Sequence, residues 1–425
     1  MRRTETEGRG PVRYGPPQPE PGLPVLPELA AAAAAAAGRS PAEPAGGGPA
    51  LLDAASGYWA RRGLPVERHQ VVAAPGAPPL LLALTAALGG DVLLPRPCAA
   101  WWAPQARLLG RDVYHVPTPA ECGGVPDPYA LLETVRRVRE EGGRPRLLVL
   151  SVADDPTATV PPPEVLHETV EAAAGEGLHV VSDETWRDTL HHPRDTVVIG
   201  PAEMDHERVT VLCDLAGPFL PPALPAAVAR FPATPAGSAL RARTLDVLTA
   251  LGATLAAPAV AAASYALGEP DPIVERLAAA VRLHARVADA AQHALLAAGA
   301  LVRPPQAGRH LYADLGPLRS ALAARDVGDA QDLEEYLEAR LGMPAPGGHR
   351  FGDDFDKLRV RLSTGPLLGA TPAEQQESLM APDPLRLPHV NRALTAFGAA
   401  FDDLRAAVAR RPEQMERTER AEPPH

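Results

Sequence analysis

Apolar and polar positions fall into two kinds of block along this chain. Short, mostly apolar runs at residues 70–74, 146–152, 178–182 and 209–213 have the length and composition of strands buried on both faces. Residues 91–94 and 112–116 read as two more strands. Between them lie stretches with helical periodicity at 51–62, 80–88, 129–141 and 165–176, the third with its charges on one face. Helices alternating with apolar strands predict an α/β fold with a parallel sheet and right-handed crossovers. After about residue 236 the blocks lengthen. Helices are expected at 238–267 and 272–298, then strands at 301–303, 310–314 and 358–362, with helices at 330–341 and 388–410. The reading gives a partly disordered arm over 1–50 with one short helix across 30–37, a large α/β domain over 51–270, a smaller α+β domain over 271–410 and a disordered tail over 411–425.

Composition narrows the function classes. At 425 residues the chain is long enough for two or three domains. Its net charge is -11, with both signs interspersed and no basic stripe, so nucleic acid is not an expected partner. No apolar run is long enough to span a bilayer, and the charged start has no apolar segment after it, so a cytoplasmic location without membrane attachment is expected. Cys98, Cys122 and Cys213 lack metal-ligand spacing and read as buried thiols. The strongest single signal is lysine: the only one is Lys357. A bias toward arginine accounts for missing surface lysines. It does not replace an amine that must form a Schiff base, because a guanidinium stays protonated.

Six segments in order carry a family resemblance. They are Tyr14-Gly15-Pro16-Pro17-Gln18; Val71-Val72-Ala73-Ala74-Pro75-Gly76-Ala77; the strand from Asp91 to Pro97; Asp154-Asp155-Pro156-Thr157-Ala158-Thr159; Val181-Ser182-Asp183-Glu184-Thr185-Trp186; and the strand from Arg359 to Thr364. Together they resemble the class I and II aminotransferases, pyridoxal-phosphate enzymes of fold type I. The resemblance implies a mostly parallel seven-stranded sheet flanked by helices, a smaller α+β domain, and active sites at the interface of a dimer. Asp183 stands where the family places the carboxylate on the pyridine nitrogen, or it is a strand-end aspartate capping a loop. Gly76 and Ala77 stand at the phosphate turn, where backbone N–H groups at a helix start hold an anion; Pro78 and Pro79 have none to offer. Asp155 replaces the asparagine beside the ring oxygen, and Trp186 the tyrosine that donates to it. Ala99 replaces the aromatic face over the ring, with Trp101 and Trp102 just beyond. Arg361 stands at the substrate-carboxylate position and Tyr14 in the segment that reaches the site. Arg361 is otherwise a strand arginine paired with Asp353 or Asp354.

The lysine segment departs furthest. Aligned without a gap between the strand ending at Cys213 and Ala227-Val228-Ala229-Arg230, Gly217 falls on the lysine, Pro225 on the phosphate-binding arginine and Asp214 on a small or hydroxyl residue. Lys357 reads as a solvated charge in an exposed turn. The loss removes the main acid/base of the family's chemistry, a rate factor of roughly 10²–10⁴. The leading expectation is therefore a catalytically degenerate member without covalent pyridoxal phosphate. It would bind a small carboxylate or amino acid, or serve as a partner subunit in a homodimer or in a heterodimer with an active relative. A second is an active aminotransferase holding the cofactor non-covalently. A third is a different lyase or hydrolase, with Asp154, Asp155, Asp183 and Glu184 as a conceivable metal cluster, although strand-end carboxylates usually serve loops.

Overall fold

The computed structural model describes residues 12–18, 20, 22–39, 42–205 and 207–419, with side chains to 405. Seven strands form the main sheet: β1 Val71–Ala74, β2 Asp91–Arg96, β3 Val113–Pro117, β4 Pro145–Ser151, β5 His179–Asp183, β6 Val209–Asp214 and β7 Ala227–Arg230. Their order is β1-β7-β6-β5-β4-β2-β3. Only β7 runs against its neighbours, pairing antiparallel with both β1 and β6. The apolar runs are buried because helices cover both faces. Leu148, Leu150, Val180 and Val211 face one core, and Leu147, Val149, Val181 and Leu212 the other. The six strands expected from the sequence are all present. The seventh, β7, was legible only as the frame after the lysine segment, because four small residues ending in arginine carry little strand signal.

Two helices, Pro235–Ala250 and Ala257–Leu267, replace the single helix expected over 238–267. Gly252, at φ +61°, and Pro258 at the opening of the second helix break the run. The long helix Asp271–Ala298 leads onward, its first turn contributing Ile273 to the large core and its later turns Leu283, Val287, Ala291 and Leu295 to a second core. That second core lies under a three-stranded antiparallel sheet, β8 Leu301–Val302, β9 His310–Asp314 and β10 Arg359–Ser363, in the order β10-β9-β8. The helix Ala330–Leu341 starts where Asp329 accepts the backbone N–H groups of Gln331 and Asp332, a side-chain cap for two free donors.

The arm joins both cores. Leu23 packs on the smaller one, and Leu29, in the helix Pro27–Ala36, is buried in the larger. Masked positions of the arm, including 1–11, lie outside the described residues, as do 420–425. The final helix runs Pro388–Glu419, so residues 411–419, assigned to the tail by the sequence, continue it. Among the described residues no helix is long and apolar enough to cross a membrane. Cys98, Cys122 and Cys213 are buried and free.

Candidate functional site

The parallel register brings the ends of β4, β5 and β6 side by side, with Ser151 opposite Asp183 and Asp183 opposite Leu212. Open α/β sheets place ligands at these carboxyl ends. Here each polar group at the strand ends already has a partner from the chain.

Asp183 closes β5. Its Oδ1 accepts the backbone N–H of Thr185 at 3.0 Å and its Oδ2 the indole N–H of Trp102 at 3.3 Å. Burial, with smaller help from nearby Asp214, pushes its pKa up to about 6. Trp102 is part of the buried core. Its indole N–H occupies an acceptor of Asp183.

Asp214 closes β6 and turns toward the helix Ala77–Leu88. Its Oδ2 accepts the N–H of Ala77 at 3.0 Å, its Oδ1 that of Ala216 at 2.8 Å. Because Pro78 and Pro79 follow, Ala77 is the lone donor of its three-residue opening. A carboxylate at a helix start is favourable electrostatically, yet burial still raises Asp214 to about 6. The N–H of Gly76 donates to Ala74 O at 2.8 Å. Both groups expected to cradle a phosphate are thus engaged. Asp214, read from sequence only as an awkward charge, is the residue that engages one of them.

Gly217 adopts φ +112°, and a Cβ built there would stand 3.0 Å from Cη2 of Trp186. The Trp186 ring lies edge-on to His310 with centroids 5.7 Å apart, and the Arg309 guanidinium sits 5.7 Å from its centroid. Trp186 thus covers Gly217, the residue expected at the lysine position. Lys357 is exposed in a turn, as expected.

Arg361 does not pair with Asp353 or Asp354; Arg359 takes Asp353. Nη1 of Arg361 instead donates to Asp155 at 2.8 and 3.1 Å, and Nη2 lies 3.7 Å from Glu20 of the arm. Asp155 is therefore an ion-pair partner of an arginine on β10, across the two domains. The Arg361 guanidinium also lies 4.9 Å from the Phe351 centroid. Tyr14 is brought elsewhere. It is exposed, lies edge-on to His349 at 5.7 Å and shares a separate cleft with Ala99, Arg107 and His115.

The four acidic residues weighed as a metal cluster point apart. Asp154 accepts from Ser151 and Thr157, Glu184 from Ser182 and Arg187, and Asp155 binds Arg361. Among the described residues no group of three or more His, Cys, Asp or Glu could hold a metal ion. Glu20 and Arg309 were not singled out from sequence. A glutamate in a proline-rich arm and an arginine entering a strand carry no local signal of meeting.

Comparisons with known proteins bear on the fold that carries this site. The family profile "Aminotransferase class I and II" matches residues 21–214. A probable aspartate/prephenate aminotransferase of Thermus aquaticus is 31% identical over 152 residues, 35% of this chain and 38% of that protein. The aspartate/prephenate aminotransferase of Thermus thermophilus matches to the same extent. The match thus spans well under half the length of these curated relatives. Among solved structures, the aspartate aminotransferase from Thermus thermophilus with maleate superimposes with TM-score 0.72 at 21% identity, covering 91% of this chain and 90% of that one. N-Succinyldiaminopimelate aminotransferase from Mycobacterium tuberculosis gives 0.71 at 23%, over 91% and 92%. Over these nine-tenths of its length the chain has the fold type I architecture, and its residues 21–214 are similar to the class I and II aminotransferases.

Proposed function

We propose that this chain is a non-transaminating member of the class I and II aminotransferase family, a scaffold that holds no Schiff-base cofactor and acts by binding a small carboxylate or a partner chain. The observation that carries the reading is Gly217, at φ +112° beneath Trp186, in a sequence whose single lysine is exposed on the other domain. No side-chain amine is placed to form the imine. Three further contacts support it. Trp102 supplies Asp183 with an N–H where a pyridinium would have to donate, Asp214 places negative charge on the one free N–H at the phosphate turn, and Asp155 neutralises the arginine that would clamp a substrate carboxylate. The residues present do not fit pyridoxal phosphate: a dianionic phosphate would meet Asp214, and the phosphate-binding arginine is Pro225. Pairing with a second copy or with an active relative, which the family resemblance implies, belongs to the same proposal.

The test is an absorption spectrum of the purified protein after pyridoxal phosphate is added and the excess removed, followed by borohydride and mass analysis. The expected result is a colourless protein of unmodified mass. A chromophore that borohydride fixes to the chain would overturn the reading.

A further inference from the structure

A cleft opens beside Gly217 on the far side of Trp186. It is bounded by the arm, the long helix Asp271–Ala298 and the turn entering β9. Its walls are apolar, with Leu23, Leu29, Phe219 and Leu277 among them, but three basic side chains also reach it: Arg276, His284 and Arg309. Arg276 donates through Nη2 to the neutral carbonyl of Pro24 at 2.6 Å, and among the described residues no ion pair reaches it. Arg309 has a buried Nε–H with no hydrogen-bond partner. Its nearest carboxylate, Glu20, is 3.9 Å away, beyond hydrogen-bonding reach. His284 is held by Thr364 at 2.7 Å, and burial, helped by the two guanidiniums, pushes its pKa down to about 3, so it is neutral. Burial lowers both arginines, the direction expected of cations removed from water without full compensation.

Among the described residues the charges around this cleft do not balance. The carboxylates paired with or nearest to Arg276, Arg309 and Arg361 are Asp155 and Glu20 alone among those residues. One positive charge is left over, in a place walled by hydrocarbon. A buried cation of this kind is costly unless an anion joins it, and a guanidinium matches a carboxylate best. The open space of 90 Å³ takes roughly six to nine water-sized groups at about 10–15 Å³ each. We infer that the cleft between Trp186, the arm and the Asp271–Ala298 helix is a binding site for a small monocarboxylate with an apolar chain, its head on Arg276 and the free N–H of Arg309 and its tail against Leu277 and Phe219. The site is not built on Arg361, whose charge Asp155 already meets. Glu20 competes for Arg309 from the arm. The inference rests on the non-transaminating reading, since a lysine at 217 with its cofactor would crowd the same wall.

Calorimetric titration with hexanoate, hexanamide and inorganic phosphate tests it. Hexanoate is expected to bind at least tenfold more tightly than hexanamide and than phosphate. Arg276→Met is expected to weaken hexanoate at least tenfold, and Glu20→Gln to tighten it a few-fold. Equal binding of acid and amide, tighter binding of phosphate, or an unchanged hexanoate affinity in Arg276→Met would each overturn the site. If Arg276→Met does not fold, the acid–amide comparison on the native protein decides alone. Borohydride labelling by pyridoxal phosphate is scored separately, so a chromophore sinks the parent reading while absent hexanoate binding sinks only this one.

Discussion

The Trp186 indole stands where a side chain at Gly217 would begin, with its Cη2, Cζ2 and Cζ3 atoms 3.0, 3.6 and 3.7 Å from an ideal Cβ. The two positions are therefore linked: a lysine at 217 and the tryptophan at 186 compete for one volume. Restoring the lysine alone should not restore the chemistry. Gly217→Lys is expected to destabilise the protein by about 2 kcal/mol, from positive φ and from the displaced indole, and to form no borohydride-fixable imine. Gly217→Lys with Trp186→Ala should cost less than the two single changes added together. Urea unfolding of the four proteins measures the coupling. Strict additivity would show that the two residues do not share the space.

Asp214 gives a pH prediction of definite sign. Its folded pKa is about 6 against an unfolded value of about 3.9. Between these values the folded state binds more protons than the unfolded one, so this group's contribution to stability falls as pH rises from about 4 to 6 and is flat above. Asp214→Asn loses the ionisable group. Measured against the native protein, its relative stability should rise by roughly 2–3 kcal/mol across that window. Comparing the two proteins cancels the opposite slope of His284 and His179, whose pKa values are pushed down to about 3 and about 4 by burial and which favour folding as pH rises through the histidine range. Parallel stability curves for the two proteins across pH 4–6 would refute the role given to Asp214.

Trp102 and Asp183 make a related case with a different readout. Trp102→Phe keeps the ring's bulk and deletes the N–H that reaches Oδ2. A buried acceptor losing one donor costs about 1–3 kcal/mol, and the carboxyl, less well solvated, should titrate higher than its present value of about 6. Carbon-detected NMR of the Asp183 carboxyl follows that titration directly. A pKa that stays put would mean that the indole N–H contributes nothing to the pair.

The architecture was readable because it is written in patterns longer than any one residue. Two-face burial of β4, β5 and β6 demands continuous apolar runs, and those runs are present in the chain. The expected correspondence of Gly217 to the family's lysine was equally readable, since Gly217 is framed by the strand before it and by Ala227-Val228-Ala229-Arg230 after it. What fills the site was not legible. Asp214 and Asp155 were visible as substitutions at family positions and Trp102 as a neighbour of one, but the partner each one takes, Ala77, Arg361 and Asp183, is set by crossovers that bring distant segments together. Glu20 and Arg276 carry no motif at all. Their significance comes from charges that meet only in the folded protein, on the arm and on the helix Asp271–Ala298.

The pair Asp155–Arg361 supplies the last prediction. Both residues are largely buried, and the two bonds of 2.8 and 3.1 Å join the loop after β4 to β10. Removing one partner of a buried pair strands the other, at about 3–5 kcal/mol, whereas replacing both by apolar groups is often close to neutral. Asp155→Ala is therefore expected to lower the unfolding temperature sharply, and Asp155→Ala with Arg361→Met to recover most of the loss. The single variant should also gain a property that the native protein lacks at this position. With Asp155 gone, Glu20 at 3.7 Å is too far to satisfy the guanidinium by hydrogen bonds, and added acetate should raise the unfolding temperature of Asp155→Ala well beyond the effect of equimolar chloride. The double variant, lacking the cation, should gain nothing from acetate over chloride. Rescue in the first and not in the second would identify Arg361 as a carboxylate clamp that the chain keeps filled with its own aspartate. Equal responses in both would mean that the arginine serves packing alone.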